Sequence, residues 1–250
     1  MNYIGIIPAR YGSTRFPGKA LVDINGKTMV QRVYEQALKT ASLSKVVVAT
    51  DDDRIFSHVQ GFGGEVVMTS TEHQSGTDRC QEAMEILADE AREVDYVVNI
   101  QGDEPFILPQ QINLLTSILD GSTELATLIK RINDEQTLFD PNSPKVVVSQ
   151  FGDPVMREAL YFSRQPIPYQ RNHEPAQWLE HHVYYKHIGL YAYRKDVLAG
   201  ITRLTPSSLE RAEALEQLRW IENGYRIRII ETDLESHGID TPMDLKRVVG

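Results

Sequence analysis

The N-terminal part of the chain alternates short apolar runs with longer amphipathic segments. The apolar runs are continuous, which is typical of parallel strands that are buried on both faces. They predict strands at 3–8, 45–50, 65–68 and 95–101. Helical spacing of the apolar residues predicts helices at 28–41, 52–61 and 77–91. This order predicts an α/β fold with a doubly wound, mostly parallel sheet, whose ligands lie at the carboxyl ends of the strands.

The pattern is looser after about residue 125. Strand-like segments follow at 126–132, 145–150, 187–194 and 226–231, and 187–194 alternates as a half-exposed strand does. A long helix is expected over 208–223, ended by Gly224, with an inward face formed by Leu209, Ala212, Leu215, Leu218 and Ile221. A last helix is expected to begin at Thr241 and Pro242, because an N-cap residue followed by proline favours a helix start.

No flexible linker, repeat or low-complexity tract divides the chain. We therefore expect one domain over 1–250, with a core at 1–130 and a smaller C-terminal lobe at 131–250. The formal net charge of -9 argues against a nucleic-acid partner held by general attraction to phosphates. Cys80 is the only cysteine, which excludes an internal disulfide. With no signal peptide and no apolar run near the roughly 20 residues that span a bilayer, we expect a cytoplasmic protein without a membrane partner.

The segment "PARYGSTRFPGK" (8–19) joins the first predicted strand to a helix and carries Arg10, Arg15 and Lys19. Backbone N–H groups at such a junction point towards an anion, and Gly12 and Gly18 permit conformations that a Cβ would block. The segment lacks the Walker pattern and the dinucleotide glycine fingerprint. It therefore indicates a phosphate-binding loop in general, and the alternative is an exposed loop with solvated charges.

The segment "NIQGDEP" (99–105) brings two carboxylates, Asp103 and Glu104, to the same predicted edge of the sheet. A carboxylate opposite a phosphate loop is a suitable ligand for Mg²⁺, which binds one or two protein carboxylates together with phosphate and water. The alternative is a tight turn in which Asp and Pro serve the backbone. We favour Asp103 as the metal ligand and regard Glu104 as the weaker candidate.

Eight motifs in order resemble the 3-deoxy-manno-octulosonate cytidylyltransferase (CMP-Kdo synthetase) family over nearly the whole chain. They are "IIPARYGSTRFPGK", "VVVATDD", "SGTDR", "NIQGDEP", "ALYFSRQPIPY", "KHIGLYAYR", "LEQLR" and "GIDTPMDL". The resemblance implies a fold of the nucleotide-diphospho-sugar transferase (nucleotidyltransferase-A) type, a homodimer and Mg²⁺. It also implies CTP and Kdo as substrates, with CMP-Kdo for lipopolysaccharide and pyrophosphate as products.

The resemblance also implies roles for individual residues. The implied catalytic residues are Arg10, Lys19, Asp103 and Asp240, of which Asp103 and Asp240 are the metal ligands. The implied nucleotide-binding residues are Arg10, Ser13, Arg15, Lys19, Ser75, Thr77, Arg79 and Gln101. The implied sugar-binding residues, placed in the C-terminal lobe that also carries the dimer contacts, are Arg164, His187, Tyr191, Glu216 and Gln217.

Several of these residues have a structural alternative. Ser75 or Thr77 could cap a helix, Asp240 could cap the last helix, and Arg164 could form a surface ion pair. Two segments also depart from the family pattern: 151–158 is longer than expected, and Glu235, Ser236 and His237 stand where small residues are more common. Both departures affect the implied sugar-binding residues more than the implied nucleotide-binding residues.

No nucleophilic triad is visible, so we expect direct in-line attack of the sugar's 2-hydroxyl on the α-phosphorus of CTP. Two rival functions remain at this point. The first is a cytidylyltransferase for a related acidic sugar, such as 8-amino-Kdo or a sialic acid. The second is a nucleotide-binding regulator without chemistry, which a carboxylate near the acceptor argues against.

Overall fold

A computed structural model of the chain describes residues 1–12, 16–149, 157–235, 238–239 and 241–249. The strands are β1 (Tyr3–Ala9), β2 (Asp23–Ile24), β3 (Lys27–Thr28), β4 (Leu43–Thr50), β5 (Val66–Met68), β6 (Tyr96–Asn99), β7 (Leu125–Arg131), β8 (Lys145–Val148), β9 (Arg157–Ser163), β10 (Tyr185–Arg194) and β11 (Ile227–Glu231). The helices are α1 (Met29–Leu38), α2 (Asp53–Gly61), α3 (Gly76–Ile86), α4 (Pro109–Thr116), α5 (Glu135–Phe139), α6 (Trp178–His181), α7 (Lys195–Ile201), α8 (Ser208–Glu213), α9 (Gln217–Glu222) and α10 (Pro242–Val249). Short 3-10 helices lie at Lys19–Leu21, Glu90–Glu93 and Pro175–Gln177.

The large sheet has the strand order β5-β4-β1-β6-β10-β7-β11-β9-β8, and β2 and β3 form a separate small hairpin. Strands β5, β4, β1 and β6 are mutually parallel, so their carboxyl ends lie at one edge. Strand β10 runs antiparallel to β6, β7 and β8, and β9 runs antiparallel to β11 and β8. The parallel half agrees with the arrangement that the sequence predicts.

Helices cover both faces of the sheet, and each face has its own apolar core. In β1, Ile4 and Ile6 pack into one core while Ile7 and Ala9 pack into the other. A strand that is buried on both faces needs apolar residues at successive positions, which explains the continuous runs. No helix within the described residues is long and apolar enough to cross a membrane.

Strand β10 corrects the expectation of a half-exposed strand at 187–194. It lies inside the sheet, with Ile188 and Leu190 packed in one core and Tyr191 and Tyr193 in the other. The residues of β10 alternate in polarity because one face of the strand carries tyrosines, whose rings end in a polar hydroxyl, and the other face carries aliphatic side chains. Both faces are buried.

The expected single helix over 208–223 is wrong, because the chain forms two short helices there, α8 and α9. Ala214 adopts a left-handed conformation with φ of 51° and ends α8. The Arg164 guanidinium donates to the carbonyl oxygens of Glu213 at 2.6 Å and Ala214 at 3.2 Å, which gives the helix end its hydrogen-bond partners. As a result Leu209 and Ala212 are exposed instead of inward, whereas Leu215 and Leu218 are buried.

Because of this break, Leu209 and Leu218 differ in burial, although the helical periodicity predicts both as inward-facing. We expect Leu218→Ala to lower the free energy of unfolding by about 2–5 kcal/mol, because Leu218 is fully buried and leaves a cavity. We expect Leu209→Ala to change it by less than about 1 kcal/mol, since Leu209 is 36% exposed. Urea denaturation of both variants measures the difference, and equal losses would contradict the break at Ala214.

Candidate active site

A pocket of about 290 Å³ opens at the carboxyl ends of β1 and β6. It is lined by residues 8–10, 19–20, 73–76, 79 and 101–103. These residues come from the end of β1, the loop that follows it, the start of α3 and the turn after β6. Among the described residues, the pocket therefore brings together the basic loop, the "SGTDR" motif and the "NIQGDEP" motif, as expected from the topology.

The basic loop returns on itself at Tyr11 and Gly18. The Gly18 N–H donates to the Tyr11 carbonyl oxygen at 2.9 Å, and Gly18 has a φ of 71° that favours glycine. A Cβ on Gly18 would also come within 3.0 Å of the Tyr11 ring, whose face is covered by the Arg54 guanidinium at 3.3 Å from its centroid. This closure places Lys19 at the pocket. Ser13 and Arg15, which are predicted to bind the nucleotide, lie outside the described residues.

An ion pair between Lys19 and Asp103 crosses the pocket. Lys19 Nζ lies 2.5 Å from Asp103 Oδ2, and the two side chains are 17% and 29% exposed. Gly102 makes this approach possible, because a Cβ at that position would lie 2.6 Å from the Pro8 carbonyl oxygen. The ion pair joins the cationic side of the pocket to the carboxylate that the sequence predicts as a metal ligand.

The residues at this position fit Mg²⁺. Asp103 offers carboxylate oxygens, the donor type that Mg²⁺ prefers, and its side chain remains partly exposed. The described residues contain no group of three or more His, Cys, Asp or Glu that could hold a metal. Mg²⁺ usually binds one or two protein carboxylates and takes the rest of its ligands from phosphates and water. Asp240 lies outside the described residues, and the N–H of its neighbour Ile239 donates to the Asp103 carbonyl oxygen at 2.9 Å.

Helix α3 begins at the pocket wall. Ser75 is its N-cap, with the Asp78 N–H donating to Ser75 Oγ at 3.1 Å, and Ser75 also lines the pocket. Ser75 therefore caps the helix and also lies at the predicted nucleotide site. The N-terminus of this helix presents backbone N–H groups and a partial positive charge on the same side as Lys19.

Arg79 lines the pocket, but its guanidinium is already bound by protein groups. It donates to Asp51 Oδ2 at 2.7 Å and to Thr69 Oγ1 at 2.6 Å, and the residue is only 3% exposed. It ties α3 to the ends of β4 and β5 and so supports the wall of the pocket. Gln101, which also lines the pocket, lies beyond the end of β6.

Two pocket features were not predicted from the sequence. His73 lines the pocket, and its Nε2 forms an ion pair or hydrogen bond with Glu82 of α3, which also accepts from the Ser70 N–H. Gly102 is the second, since its lack of a Cβ is needed for the contact with Pro8. The position of His73 two residues before "SGTDR" was a signal that could have identified it.

Thr77 does not line the pocket, and its hydroxyl instead connects α3 to Glu216, just before α9. Thr77 Oγ1 donates to Glu216 Oε2 at 2.8 Å and lies 3.3 Å from the Tyr193 hydroxyl. Asn99, at the end of β6, donates to the same Tyr193 oxygen at 3.2 Å. Burial raises the pKa of the Glu216 carboxyl, and hydrogen bonds from Thr77 and Ser75 act in the opposite direction.

His187, Tyr191 and Gln217 lie on this same side of the sheet. The His187 ring contacts the Phe162 and Tyr191 rings, with centroids 5.3 Å and 5.1 Å away, and bonds to Thr127 Oγ1 at 3.1 Å. Tyr191 and Gln217 are buried, and neither Tyr191 Oη nor Gln217 Nε2 has a hydrogen-bond partner in the described part of the chain. Buried polar atoms are normally hydrogen-bonded, so each of these two atoms keeps an unused hydrogen-bonding capacity within the described residues.

Arg164 lies apart from the pocket. Its three hydrogen-bonding nitrogens donate to the carbonyl oxygens of Glu213, Ala214 and Pro141. Its position therefore stabilises the break between α8 and α9, and the role predicted for it in sugar binding stays a prediction.

Known proteins resemble the chain over nearly its full length. A family model described as Cytidylyltransferase matches residues 4–229. A 3-deoxy-manno-octulosonate cytidylyltransferase of Cytophaga hutchinsonii is 57% identical over 249 residues, which cover 99% of this chain and 96% of that protein. One of Geobacter metallireducens is 47% identical, with 100% and 97% covered.

The chain belongs to the 3-deoxy-manno-octulosonate cytidylyltransferase family. A solved structure of CMP:2-keto-3-deoxy-manno-octonic acid synthetase complexed with CTP is 44% identical, with a TM-score of 0.89 and coverage of 99% of this chain and 97% of that one. A mannose-1-phosphate geranyltransferase structure from Thermus thermophilus is 15% identical with a TM-score of 0.66, over 99% of this chain and 78% of that one, and shares the fold. The family, the nucleotidyltransferase class and the α/β fold predicted from the sequence are confirmed.

The packing of His187 predicts a dependence of stability on pH. Burial lowers the pKa of the His187 imidazole from 6.5 to about 3, so the folded state holds the ring neutral. As pH falls below 6.5 the unfolded chain binds a proton that the folded chain does not, and stability is lost until the pH reaches about 3. Between pH 7.5 and 5.0 we expect wild type to lose about 2 kcal/mol more than His187→Gln.

Urea denaturation at several pH values between these limits measures the effect in both proteins. The comparison uses the change with pH within each protein, so a constant loss of stability in His187→Gln does not affect it. Parallel curves for the two proteins would show that the ring is not held neutral.

Proposed function

We propose that the protein transfers CMP from CTP to the anomeric 2-hydroxyl of Kdo, releasing pyrophosphate and supplying CMP-Kdo for lipopolysaccharide in the cytoplasm. The names of its relatives and the CTP in the related solved structure support this proposal. The single observation that carries it is the meeting of Lys19 and Asp103 at the pocket where α3 begins. This arrangement offers cations to a triphosphate and a carboxylate to a divalent ion.

The triphosphate would lie between the basic loop and the start of α3. Arg10, Lys19 and the predicted residues Ser13 and Arg15 would bind its phosphates, and the α3 N-terminus adds backbone N–H groups and a partial positive charge. Ser75 and Gln101 line the same pocket and would contact the nucleotide. Arg79 would support the pocket wall and not bind the nucleotide directly, because its guanidinium already donates to Asp51 and Thr69.

Asp103 and Asp240 would hold Mg²⁺. Bound there, Mg²⁺ supplies neutralisation of phosphate charge and lowers the pKa of the attacking hydroxyl. Lys19 would then exchange its contact with Asp103 for one with a phosphate oxygen, because both partners of the ion pair gain a ligand of opposite charge. The pair thus keeps the two charges together until the substrates arrive.

The sugar would bind on the side of Tyr191 and Gln217, whose buried polar atoms lack protein partners among the described residues. A polyhydroxylated ligand supplies such partners. His187 and Glu216 would shape this subsite, and Arg164 would be available to the sugar carboxylate only through donors not used by its three carbonyl contacts. The lobe at 131–250 would also carry the contacts of a homodimer.

The reaction requires no covalent intermediate. The oxygen of the sugar's 2-hydroxyl forms a bond to the α-phosphorus of CTP, and the bond from that phosphorus to the oxygen bridging to the β-phosphate breaks. Pyrophosphate leaves with the bonding electrons, and the hydroxyl proton passes to solvent. Orientation of the two substrates and neutralisation of their charges by Arg10 and Lys19 would supply most of the rate enhancement.

The choice of both substrates is tested by pyrophosphate release, with the four nucleoside triphosphates each combined with Kdo, 8-amino-Kdo and sialic acid. We expect release with CTP and Kdo, because the relatives carry this name. Faster turnover with another sugar acid would move the assignment to that sugar. Tight CTP binding without pyrophosphate release from any combination would favour a nucleotide-binding regulator.

Asp103→Asn tests the role of the carboxylate. We expect the turnover number to fall on the order of a hundredfold or more, since the amide loses the charge that holds a cation. The free energy of unfolding should change by less than about 1 kcal/mol, because the ion pair with Lys19 is partly exposed. Asp196→Asn, which alters an exposed pair with Arg194, is the control and should keep wild-type turnover. Near-normal turnover in Asp103→Asn would contradict the metal role.

A further inference from the structure

The Arg54 guanidinium lies over the ring of Tyr11, at 3.3 Å from the ring centroid. This is the geometry of a cation–π contact, in which the face of the ring attracts the positive charge. Tyr11 belongs to the basic loop, whereas Arg54 lies in the first turn of α2, beyond the end of β4. The described residues that line the pocket include neither of the two. The contact therefore supports the basic loop from outside the pocket.

The Arg54 side chain is itself held by Asp52, the N-cap residue of α2. Arg54 Nε donates to Asp52 Oδ1 at 2.9 Å, and a terminal nitrogen of the same guanidinium donates to Asp52 Oδ2 at 2.6 Å. Two parallel bonds of this kind fix the plane of a guanidinium as well as its position. The hydrogen bond from Arg54 is the main reason why the pKa of the Asp52 carboxyl lies below its usual value. The Tyr11 ring therefore contacts a cation of fixed orientation.

Tyr11 lies where the basic loop closes on itself. Its carbonyl oxygen accepts from the Gly18 N–H at 2.9 Å, and a Cβ on Gly18 would come within 3.0 Å of its ring. Arg10 directly precedes Tyr11, Lys19 directly follows Gly18, and both cations line the pocket. The closure between Tyr11 and Gly18 therefore sets the position of the backbone that carries both cations.

The segment that holds Arg54 is also attached to the wall formed by α3. Asp51 accepts a hydrogen bond from Arg79 of α3 at 2.7 Å. The Asp52 N–H donates to the hydroxyl of Thr50, the fully buried last residue of β4, at 3.3 Å. The end of the motif "VVVATDD" is therefore a common support, from which one aspartate reaches α3 and the next reaches the basic loop through Arg54.

We propose that Arg54 is a positioning residue, which through Tyr11 holds the closed base of the basic loop and thereby sets the affinity of the pocket for the phosphates of CTP. This inference rests on the proposed function. Without the contact, a smaller fraction of the molecules holds Arg10 and Lys19 at the pocket, and the apparent affinity falls with that fraction. Bound triphosphate itself holds the two cations in place, so the effect is on CTP binding and not on turnover at saturating CTP.

The experiment is a double-mutant cycle on the affinity for CTP, measured by titration calorimetry with Mg²⁺ and without sugar. It compares wild type with Arg54→Ala, Tyr11→Leu and the variant that carries both changes. Tyr11→Phe keeps the face of the ring and loses only the hydroxyl. Arg194→Ala is the matched control, because Arg194 forms the same two-bond pair with Asp196 at the start of another helix, α7.

We expect Arg54→Ala and Tyr11→Leu each to weaken CTP binding about fivefold, which is the order that an exposed cation–π contact allows. The double variant should also bind about fivefold more weakly, and not about 25-fold, because both changes remove the same contact. Tyr11→Phe and Arg194→Ala should stay within about twofold of wild type, since the first keeps the ring face and the second leaves the contact intact.

Steady-state kinetics of pyrophosphate release with Kdo provide a second readout. In Arg54→Ala the KM for CTP should rise about fivefold while kcat stays within about twofold of wild type. If Tyr11→Leu does not fold, Arg54→Lys takes its place in the calorimetry. A lysine could keep a direct contact with a phosphate, but it cannot form the planar two-bond pair with Asp52, so we expect a loss close to that of Arg54→Ala.

Wild-type CTP affinity in Arg54→Ala would overturn the proposal. Losses that add up in the double variant, or wild-type affinity in Arg54→Lys, would do the same, because they indicate that Arg54 touches the nucleotide directly. An equal loss in Arg194→Ala would also overturn it, since it indicates general destabilisation.

The wild-type measurements separate this proposal from the proposed function. If wild type binds CTP but releases no pyrophosphate with any sugar acid, the proposed function fails, and the cycle on CTP affinity still decides the role of Arg54. If wild type is active and the variants bind CTP as it does, only the role of Arg54 fails. If wild type binds no CTP, both fail.

Discussion

Ile6 of β1 lies opposite Asn99 of β6, and the Ile100 N–H donates to the Ile6 carbonyl oxygen at 2.9 Å. Because the two strands are parallel, the chain leaves both at the same edge of the sheet, and the loops that carry Lys19 and Asp103 begin side by side. Gly102 permits their contact, since a Cβ at that position would lie 2.6 Å from the Pro8 carbonyl oxygen of β1. The opposite charges of the site are therefore brought together by backbone pairing, before any side chain contributes.

The local charge at this edge differs from that of the chain as a whole. The net charge of -9 repels anions in general, whereas the basic loop and the start of α3 form a confined positive region. An anionic ligand is therefore attracted mainly where the reaction is proposed to occur. Arg79 contributes little to this attraction, because Asp51 neutralises it within the wall.

The parallel half of the sheet and the meeting of Lys19 with Asp103 could be predicted from the sequence, since both follow from continuous apolar strands and a general rule about their carboxyl ends. The break at Ala214 could not, because it depends on Arg164, which is distant in sequence. The inner position of β10 was missed because periodicity reports exposure and not the order of strands.

The hydrogen bond from Thr77 to Glu216 joins α3, which begins at the pocket, to the start of α9, beside the proposed sugar subsite. The two halves of the protein are therefore not interchangeable modules. A chimera that took Glu216 and α9 from a transferase without a carboxylate at this position would leave the Thr77 hydroxyl buried and without that partner unless α3 came from the same parent. Recombination of such enzymes would have to place its crossover points so that these two helices are inherited together.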